Sequence, residues 1–148
     1  MTRSALLPLS SVAELQSHTN RVNALVSVGA DFVVASASSD VTIKFWDVRQ
    51  GLLLGTLTTN VGAQGGGHRA RVNCLVSLAN SMLVSGGSDA SIIIWDTTDV
   101  RQVYRMAMWN AHLSEVLSLS CRSRAGPLVY SGGDDNVIKV RATGYWLC

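Results

Sequence analysis

The amino-acid sequence predicts an all-β fold built from about three repeated, four-stranded antiparallel units. The first observation is an internal repeat: residues 21–27 read RVNALVS and residues 71–77 read RVNCLVS, which differ at one position. The second is the pattern of side chains, because short apolar, β-branched runs alternate with turns rich in Gly, Ser, Asp and Asn, without helical periodicity. A repeated unit of this size cannot bury its apolar surface alone, so we expect neighbouring units to stack.

The strands of the three units are predicted in chain order from these apolar runs. The first unit is expected to have strands near 22–28, 32–36, 42–48 and 52–58. The second unit is expected to have strands near 72–78, 82–86, 91–97 and 102–108. The third has predicted strands near 116–121, 128–132 and 137–142, and its fourth strand is either missing or formed by Tyr145–Cys148. Residues 12–16 are predicted to be the last strand of a preceding unit.

These strands define the predicted domain organisation. Residues 1–148 are expected to form one domain, with units at about 22–58, 72–108 and, in part, 116–148. Runs such as Ile92–Ile94 are apolar at consecutive positions, so both faces of such a strand need to be covered. The units are therefore expected to stack sheet against sheet.

A His, a Ser and an Asp recur at matched positions in all three units. The His precedes the Asp by 22, 21 and 23 residues, and the Ser always stands four residues before the Asp. In the first two units a Trp follows the Asp by six residues, whereas Arg141 takes that place in the third. The matched residues are His18, Ser36, Asp40 and Trp46; His68, Ser85, Asp89 and Trp95; and His112, Ser131 and Asp135.

This pattern resembles the WD-repeat (WD40) family, whose repeat of about 40–45 residues has Gly-His near its start and Trp-Asp at its end. The resemblance covers residues 12–142 and is strongest in the second unit, where Gly67 precedes His68 and Asp96 follows Trp95. It implies that each unit is one blade of a WD40-type β-propeller. Closed propellers generally have about four to eight blades, so this chain alone is not expected to close the ring.

The resemblance also implies a structural role for the matched polar residues. In the family, the Asp accepts a hydrogen bond from the His ring, the ring bonds to the Ser, and the Ser contacts the Trp N–H. Each buried polar group then has a partner, which matters because an unpaired one costs about 1–3 kcal/mol. Since Arg141 replaces the Trp in the third unit, that network is expected to lack its last contact.

The composition argues against several functional classes. The 12 Lys and Arg residues nearly balance 10 Asp and Glu, which gives no electrostatic reason to expect nucleic acid or an anionic membrane as a partner. No segment approaches the roughly 18 apolar residues of a membrane helix, and the apolar patch at 5–9 is too short for a signal peptide. Cys74, Cys121 and Cys148 have no paired spacing and are predicted to be free thiols. We therefore expect a cytoplasmic protein, with the nucleus as the alternative.

The recurring Ser, His and Asp also suggest a hydrolase triad, but the pattern argues against it. The trio occurs three times, whereas an active site is needed once, and none of the serines lies in a G-x-S-x-G motif. The glycine-rich stretch 61–68 lacks the GK[ST] ending of a phosphate loop and is interpreted as an insertion between units. The histidines are 44 or 50 residues apart without a Cys at ligand spacing, so no metal site is expected. A propeller blade offers no cradle for a cofactor, so none is expected either. The chain is predicted not to be an enzyme.

The predicted function is that of a scaffold or adaptor that binds other proteins through loops at the strand ends. By the resemblance, partner contacts come from the third and fifth residues after each His and from the residue before each Asp. These positions are Arg21, Asn23 and Ser39; Arg71, Asn73 and Ser88; and Glu115, Leu117 and Asp134. Arg21 and Arg71 are expected to contact an acidic segment of a partner. The alternative is that these are solvated loop residues.

Two further features suggest contacts outside these positions. Residues 34–49 end in Trp-Asp-x-Arg and resemble the box with which WD-repeat substrate receptors of cullin-4 ubiquitin ligases dock their adaptor. The alternative function is therefore that of a cullin-RING substrate receptor with Arg49 as its docking residue. Trp109, predicted in the loop before His112, is either an interface aromatic or packed between blades.

An unclosed array of three blades leaves two end faces uncovered, and three explanations follow. The chain is a truncated piece of a longer propeller, it assembles with copies of itself, for example as a six-bladed dimer, or it completes the propeller of a partner. The incomplete third unit favours truncation.

Overall fold

A computed structural model describes residues 13–29, 32–59, 66–78, 81–122 and 127–143, and the regular structure in these ranges consists of β-strands alone. The strands are β1 Val22–Ser27, β2 Val33–Ser38, β3 Ile43–Asp47, β4 Leu52–Leu57, β5 Val72–Leu78, β6 Met82–Gly87, β7 Ser91–Asp96, β8 Tyr104–Asn110, β9 Val116–Arg122, β10 Leu128–Gly133 and β11 Ile138–Ala142.

The strands form three antiparallel sheets, which we call blade one, blade two and blade three. Blade one has the strand order β1-β2-β3-β4, blade two has β5-β6-β7-β8, and blade three has β11-β10-β9. Each strand pairs with its neighbour in the chain, so every sheet is a meander with local pairing. The predicted all-β fold of stacked blades is confirmed, and the bounds predicted for these strands lie within two residues of the observed ones.

Two assignments made from the sequence are wrong. Residues 13–16, predicted within the last strand of a preceding blade, are not in a strand, because the described chain has no neighbouring strand to complete their ladder. Trp109, predicted in a loop, lies in β8 opposite Ile92, since β8 extends two residues further than predicted. The alternative fourth strand at Tyr145–Cys148 and residues 61–65 of the glycine-rich stretch fall outside the described residues.

Blade two is covered on both faces, as its consecutive apolar residues predicted. Leu83, Ile93 and Trp95 pack in one apolar core with residues of blade one. The residues between them in sequence face the other way, and Ile92 and Ile94 pack with residues of blade three. From blade one the first core takes Val28, Ala35, Ala37, Ile43, Phe45 and Leu57. The second core also contains Ala111 from the link between β8 and β9, and Val116 and Val129 from blade three, with Leu119 and Cys121 beside them.

The turn between the second and third strand of each blade has the same backbone conformation. The residue after the turn Asp has a positive φ in all three blades: 69° at Val41, 62° at Ala90 and 63° at Asn136. Asn adopts this left-handed region readily, whereas a β-branched residue such as Val does so at a cost. The repeated turn holds the Asp side chain at the same end of every blade, which we call the upper surface.

Candidate functional site

In blade one, four side chains form a hydrogen-bonded chain from the upper surface into the sheet. His18 Nδ1 lies 2.8 Å from Asp40 Oδ2, and His18 Nε2 lies 2.6 Å from Ser36 Oγ. Trp46 Nε1–H donates to the same Ser36 Oγ at 2.7 Å. A carboxylate only accepts, so Nδ1 of a neutral ring donates to Asp40 and Nε2 accepts from the Ser36 hydroxyl. In this hydrogen-bonded network each donor therefore faces an acceptor.

Blade two repeats the arrangement with a more deeply buried ring. His68 Nδ1 is 3.0 Å from Asp89 Oδ1, and His68 Nε2 is 2.8 Å from Ser85 Oγ. Trp95 Nε1–H donates to Ser85 Oγ at 2.8 Å. Ser91 Oγ donates to Asp89 at 2.6 Å and so fixes the carboxylate from the other side.

Blade three keeps the first part of the network and lacks the last contact. His112 Nδ1 is 2.8 Å from Asp135 Oδ1, and His112 Nε2 is 2.8 Å from Ser131 Oγ. Arg141, which replaces the Trp, has its Cζ 6.0 Å from the centre of the Trp109 ring. Its buried Nε has no hydrogen-bond partner among the described residues. A buried N–H without a partner is unfavourable, so this network is incomplete.

The turn carboxylates are held in their charged form. Burial alone would raise the pKa of Asp40 and of Asp89, but hydrogen bonds outweigh it: from Thr42 and His18 for Asp40, and from His68 and Ser91 for Asp89. Both pKa values therefore lie well below the ordinary value. For Asp135 the backbone N–H of Leu113 is the largest influence and outweighs partial burial, so its pKa falls to about 2.

Asparagines link each blade to the next at the upper surface. Asn23 Nδ2 donates to the carbonyl oxygen of Val72 at 2.8 Å, and Asn73 Nδ2 donates to that of Val116 at 3.0 Å. Both asparagines are predicted partner-binding residues, and here they also connect neighbouring blades. In blade three the same position holds Leu117, which is half exposed and has no amide to donate.

The predicted partner-binding residues of blades two and three come together in one cluster. Arg71 Nη2 lies 2.8 Å from Glu115 Oε1, and Ser88 Oγ donates to Glu115 Oε2 at 2.9 Å. The hydrogen bond from Ser88, with those from Arg71 and Asn73, outweighs slight burial and lowers the pKa of Glu115. The arginine and the carboxylate remain partly exposed, so the pair lies at the surface.

The equivalent residues at the start of the array form a smaller group. Arg21 Nε donates to Asn23 Oδ1 at 3.0 Å, and Asn23 Nδ2 donates to Ser39 Oγ at 3.1 Å. No ion pair of Arg21 occurs within the described part of the chain. In blade three, Asp134 accepts a hydrogen bond from Ser114 Oγ at 3.3 Å.

Two features escaped the sequence analysis. At the end of the blades opposite the upper surface, the guanidinium of Arg49 stacks over the ring of Phe32, with Cζ 4.6 Å from its centre. Phe32 has a positive φ of 75° and is half exposed, although the sequence placed it in a strand. The second feature is a cavity of about 240 Å³, lined by Gly66, Gly67, Arg69, Arg105 and Met108. Neither has a sequence signal, because each depends on contacts between segments that are separate in the sequence.

Other side chains and segments give no sign of a second kind of site within the described ranges. Cys74 and Cys121 are free, and burial raises the pKa of the Cys74 thiol to about 12. No group of three or more potential metal ligands is found in this part of the chain. Nor do these residues include a helix long and apolar enough to cross a membrane. Trp109 packs against the core between blades two and three.

Comparison with protein families identifies the repeat. The family model described as WD domain, G-beta repeat matches residues 9–47, 56–96 and 103–141. Each match contains the His, Ser and Asp of one network.

Individual relatives and solved structures are similar over part of their length. The chain is 32% identical over 105 residues to Mitochondrial division protein 1 of Neosartorya fischeri, a match covering 71% of this chain and 15% of the relative. It is 33% identical over 98 residues to Mitochondrial division protein 1 of Aspergillus clavatus, covering 66% of this chain and 14% of the relative. The crystal structure of RRP9 WD40 repeats and the structure of U3-55K both match with a TM-score of 0.73 and 26% identity. Both matches cover 87% of this chain, with 37% and 38% of the two structures. The chain thus spans about 15% of the length of these curated relatives.

Proposed function

Because the chain belongs to the WD40 repeat family, we propose that it is a non-catalytic scaffold that binds other proteins through its upper surface. The observation that carries this proposal is the convergence of predicted contact residues from neighbouring blades at that surface. Arg71, Ser88 and Glu115 come from two blades and meet within hydrogen-bonding distance. Rigid strands thereby present polar side chains from separate parts of the sequence to one partner.

The burial and the hydrogen bonds of the three network serines support a non-catalytic role. Ser36, Ser85 and Ser131 are only 2%, 0% and 2% exposed. Their hydroxyls lie against the His rings, and in blades one and two they also accept the Trp N–H. A nucleophile must reach its substrate, which a hydroxyl enclosed in this way does not do. The repeated trio is better explained as a support that fixes each turn.

The charges of the upper surface favour an acidic segment as the partner of Arg21 and Arg71. Both arginines lie at equivalent positions of adjacent blades and are exposed. Arginine forms planar, two-pronged contacts with carboxylates, which suits recognition of Asp or Glu side chains. Arg71 already pairs with Glu115, so a partner would share this arginine or compete for it.

A fluorescent peptide of alternating Glu and Gly tests this proposal by anisotropy at low and at high salt. We expect the wild-type chain to bind the acidic peptide and not a Lys-containing peptide of equal length. Binding should weaken with salt because exposed charge pairs are screened. Charge reversal of both Arg21 and Arg71 to Glu should abolish it.

The matched control is Arg101→Glu, which changes an exposed arginine in the turn between β7 and β8, at the opposite end of blade two. This variant should bind like wild type. Equal affinity of wild type, the double variant and the control would refute the assignment of Arg21 and Arg71.

The alternative of a cullin-RING substrate receptor stays a prediction. Its supporting observation is that Arg49 is exposed and held in place over Phe32. The relatives and structures reported above add no support for it. A pull-down of the ligase adaptor that compares wild type with Arg49→Ala decides it, because retention at wild-type level removes Arg49 from the docking role. The cytoplasmic or nuclear location likewise stays a prediction, to be checked by imaging a tagged chain.

A further inference from the structure

The cavity beside blade two is lined by two arginines. Arg69 stands directly after the network residue His68, and Arg105 lies on β8, the last strand of the same blade. None of the five lining residues is an Asp or a Glu, so both charged residues of the cavity lining are cationic. An anion that enters the cavity therefore meets two positive charges and no opposing negative charge.

The two guanidinium groups differ in how they are held. Nη1 of Arg105 donates to the carbonyl oxygen of Gly66 at 2.9 Å and to Sδ of Met108 at 3.6 Å, and both of these residues line the cavity. The group is thus held at the cavity wall before a ligand arrives, which lowers the entropy cost of binding. Arg69 is exposed and makes no ion pair among the described residues, so its long side chain can turn onto the same ligand.

A second wall of the cavity is fixed because glycines let it pass close to the end of β4. A Cβ added at Gly67 would lie 2.5 Å from the carbonyl oxygen of Thr58. One added at Gly66, which has a positive φ of 59°, would lie 3.2 Å from that of Thr59. The buried ring of His68 anchors the same segment to the network of blade two. The cavity is therefore bounded by elements that the fold already holds in place.

The two arginines are not part of the repeated pattern. The residue after the network His is a Thr in blade one and a Leu in blade three, where blade two has Arg69. The position paired with the network Trp holds Leu53 in blade one and Arg105 in blade two. Because blade one forms the same four-stranded sheet without either arginine, the pair indicates a role specific to blade two.

We propose that this cavity binds a phosphoryl group carried by a serine or threonine side chain of a partner protein. Such a group has a charge of about −1.5 to −2 at neutral pH and three acceptor oxygens, which matches two guanidinium groups. A carboxylate has a single charge, which one arginine already balances. The volume of about 240 Å³ is below the roughly 300–1,000 Å³ of sites for whole small molecules, so a single side chain fits it better.

A protein is favoured over a membrane lipid as the carrier of this group. Sequence segments that recognise anionic lipids typically present a cluster of about 4–8 Lys or Arg, whereas two arginines line this cavity. The inference rests on the proposed function in taking a protein as the partner. It adds a second site to that function, because neither Arg21 nor Arg71 lines the cavity.

Fluorescence anisotropy of a short peptide with one phosphoserine among Gly and Ala residues tests the site on the full chain. We expect the phosphopeptide to bind, and the same peptide with Ser or Glu in place of phosphoserine to bind about tenfold more weakly or worse. Inorganic phosphate should displace the phosphopeptide more effectively than sodium chloride of equal ionic strength. Arg69→Gln and Arg105→Gln should each raise the dissociation constant about tenfold or more, because each removes charge-assisted hydrogen bonds.

The matched control is Arg101→Gln, which removes an exposed arginine in the β7–β8 turn and should leave the affinity unchanged. Arg105→Gln also loses the bond to Gly66, so circular dichroism checks that this variant is folded. If it is not, Arg69→Gln decides the question, because the hydrogen bond of Arg69 to Asp89 comes from the backbone and is kept.

The acidic Glu–Gly peptide, added as a competitor, separates this site from Arg21 and Arg71. It should leave the phosphopeptide bound, and displacement would place the phosphopeptide on those two arginines and overturn the inference. Failure of the acidic peptide to bind, with the phosphopeptide still bound, would refute the proposed site at Arg21 and Arg71 and support the cavity.

Three further results would also overturn the inference. The first is equal affinity for the phosphorylated and the unphosphorylated peptide. The second is equal affinity of wild type and folded Arg69→Gln for the phosphopeptide. The third is binding to vesicles of phosphatidylcholine with phosphorylated phosphatidylinositol in the absence of any binding to the phosphopeptide, which would identify a lipid as the carrier.

Discussion

Blades two and three have the same turn and the same His, Ser and Asp, yet they differ in what the Ser hydroxyl meets. In blade two, Ser85 accepts the indole N–H of Trp95, and both residues are fully buried between two neighbouring sheets. In blade three, Arg141 stands in place of the Trp and leaves a buried N–H unpaired. The comparison indicates that the hydrogen bond between His and Asp fixes the turn in both blades. The Trp of blade two in addition connects this network to the apolar core through its hydrogen bond to the Ser. In blade two, hydrogen bonds therefore connect the turn Asp through His and Ser to the Trp, whereas in blade three this series of hydrogen bonds ends at the Ser.

The largest expected difference comes from removing the turn carboxylate. Asp89→Ala leaves the buried His68 ring and the backbone N–H of Arg69 without their acceptor, so we expect a loss of about 1–3 kcal/mol of unfolding free energy. Chemical denaturation measures it. The control Asp99→Ala changes an exposed carboxylate in the β7–β8 turn and should have a much smaller effect. Equal midpoints for Asp89→Ala and Asp99→Ala would contradict a supporting role of the network.

A smaller effect is expected from completing the network of blade three. Arg141→Trp removes the unpaired Nε and supplies an indole N–H for Ser131, so we expect about 1 kcal/mol of added stability. Arg141→Phe is the matched control, because it adds an aromatic ring without a donor. Thermal unfolding of the two variants isolates the hydrogen bond. If both were equally stable, the Trp would act through packing alone.

The smallest expected difference is in the pH at which the turn carboxylates become protonated. The folded pKa values of the three turn carboxylates are lowered, so the stability they contribute is fully present above the ordinary value of 3.8 and is lost as pH falls through the folded values. Asp135 should protonate first, near pH 2, and Asp40 and Asp89 at still lower pH. Carbon-detected NMR titration of the Asp carboxyl groups measures this order. Protonation of Asp89 at a higher pH than Asp135 would contradict the expected order.

The fold was predictable because its signals are local and repeated three times. Each strand is an apolar run closed by a turn, and each pairs with its neighbour in sequence, so no distant pairing had to be guessed. The resemblance of the repeat to the WD40 family predicted the contacts of His68, and the structure places its ring 3.0 Å from Asp89 and 2.8 Å from Ser85. The strand predicted at 13–16 was wrong because it needed a partner strand from outside its own unit, and the described residues contain none.

The contacts between blades could not be predicted in the same way. The hydrogen bond from Asn73 to the Val116 carbonyl and the pair of Arg71 with Glu115 join residues more than 40 positions apart. Their geometry depends on how the sheets stack, and the repeat alone does not define it. The sequence indicated which residues reach the upper surface, while their mutual contacts required coordinates of both blades.

The alternation of side chains in blade two has a consequence for the order of folding. Since its central strands β6 and β7 contribute to both apolar cores, blade two gains from either neighbour, whereas blades one and three each share a single core. Within a blade the contacts are close in sequence, and between blades they span about one repeat, which keeps loop-closure entropy low. We therefore expect the meander of blade two to fold first and blades one and three to pack onto it afterwards.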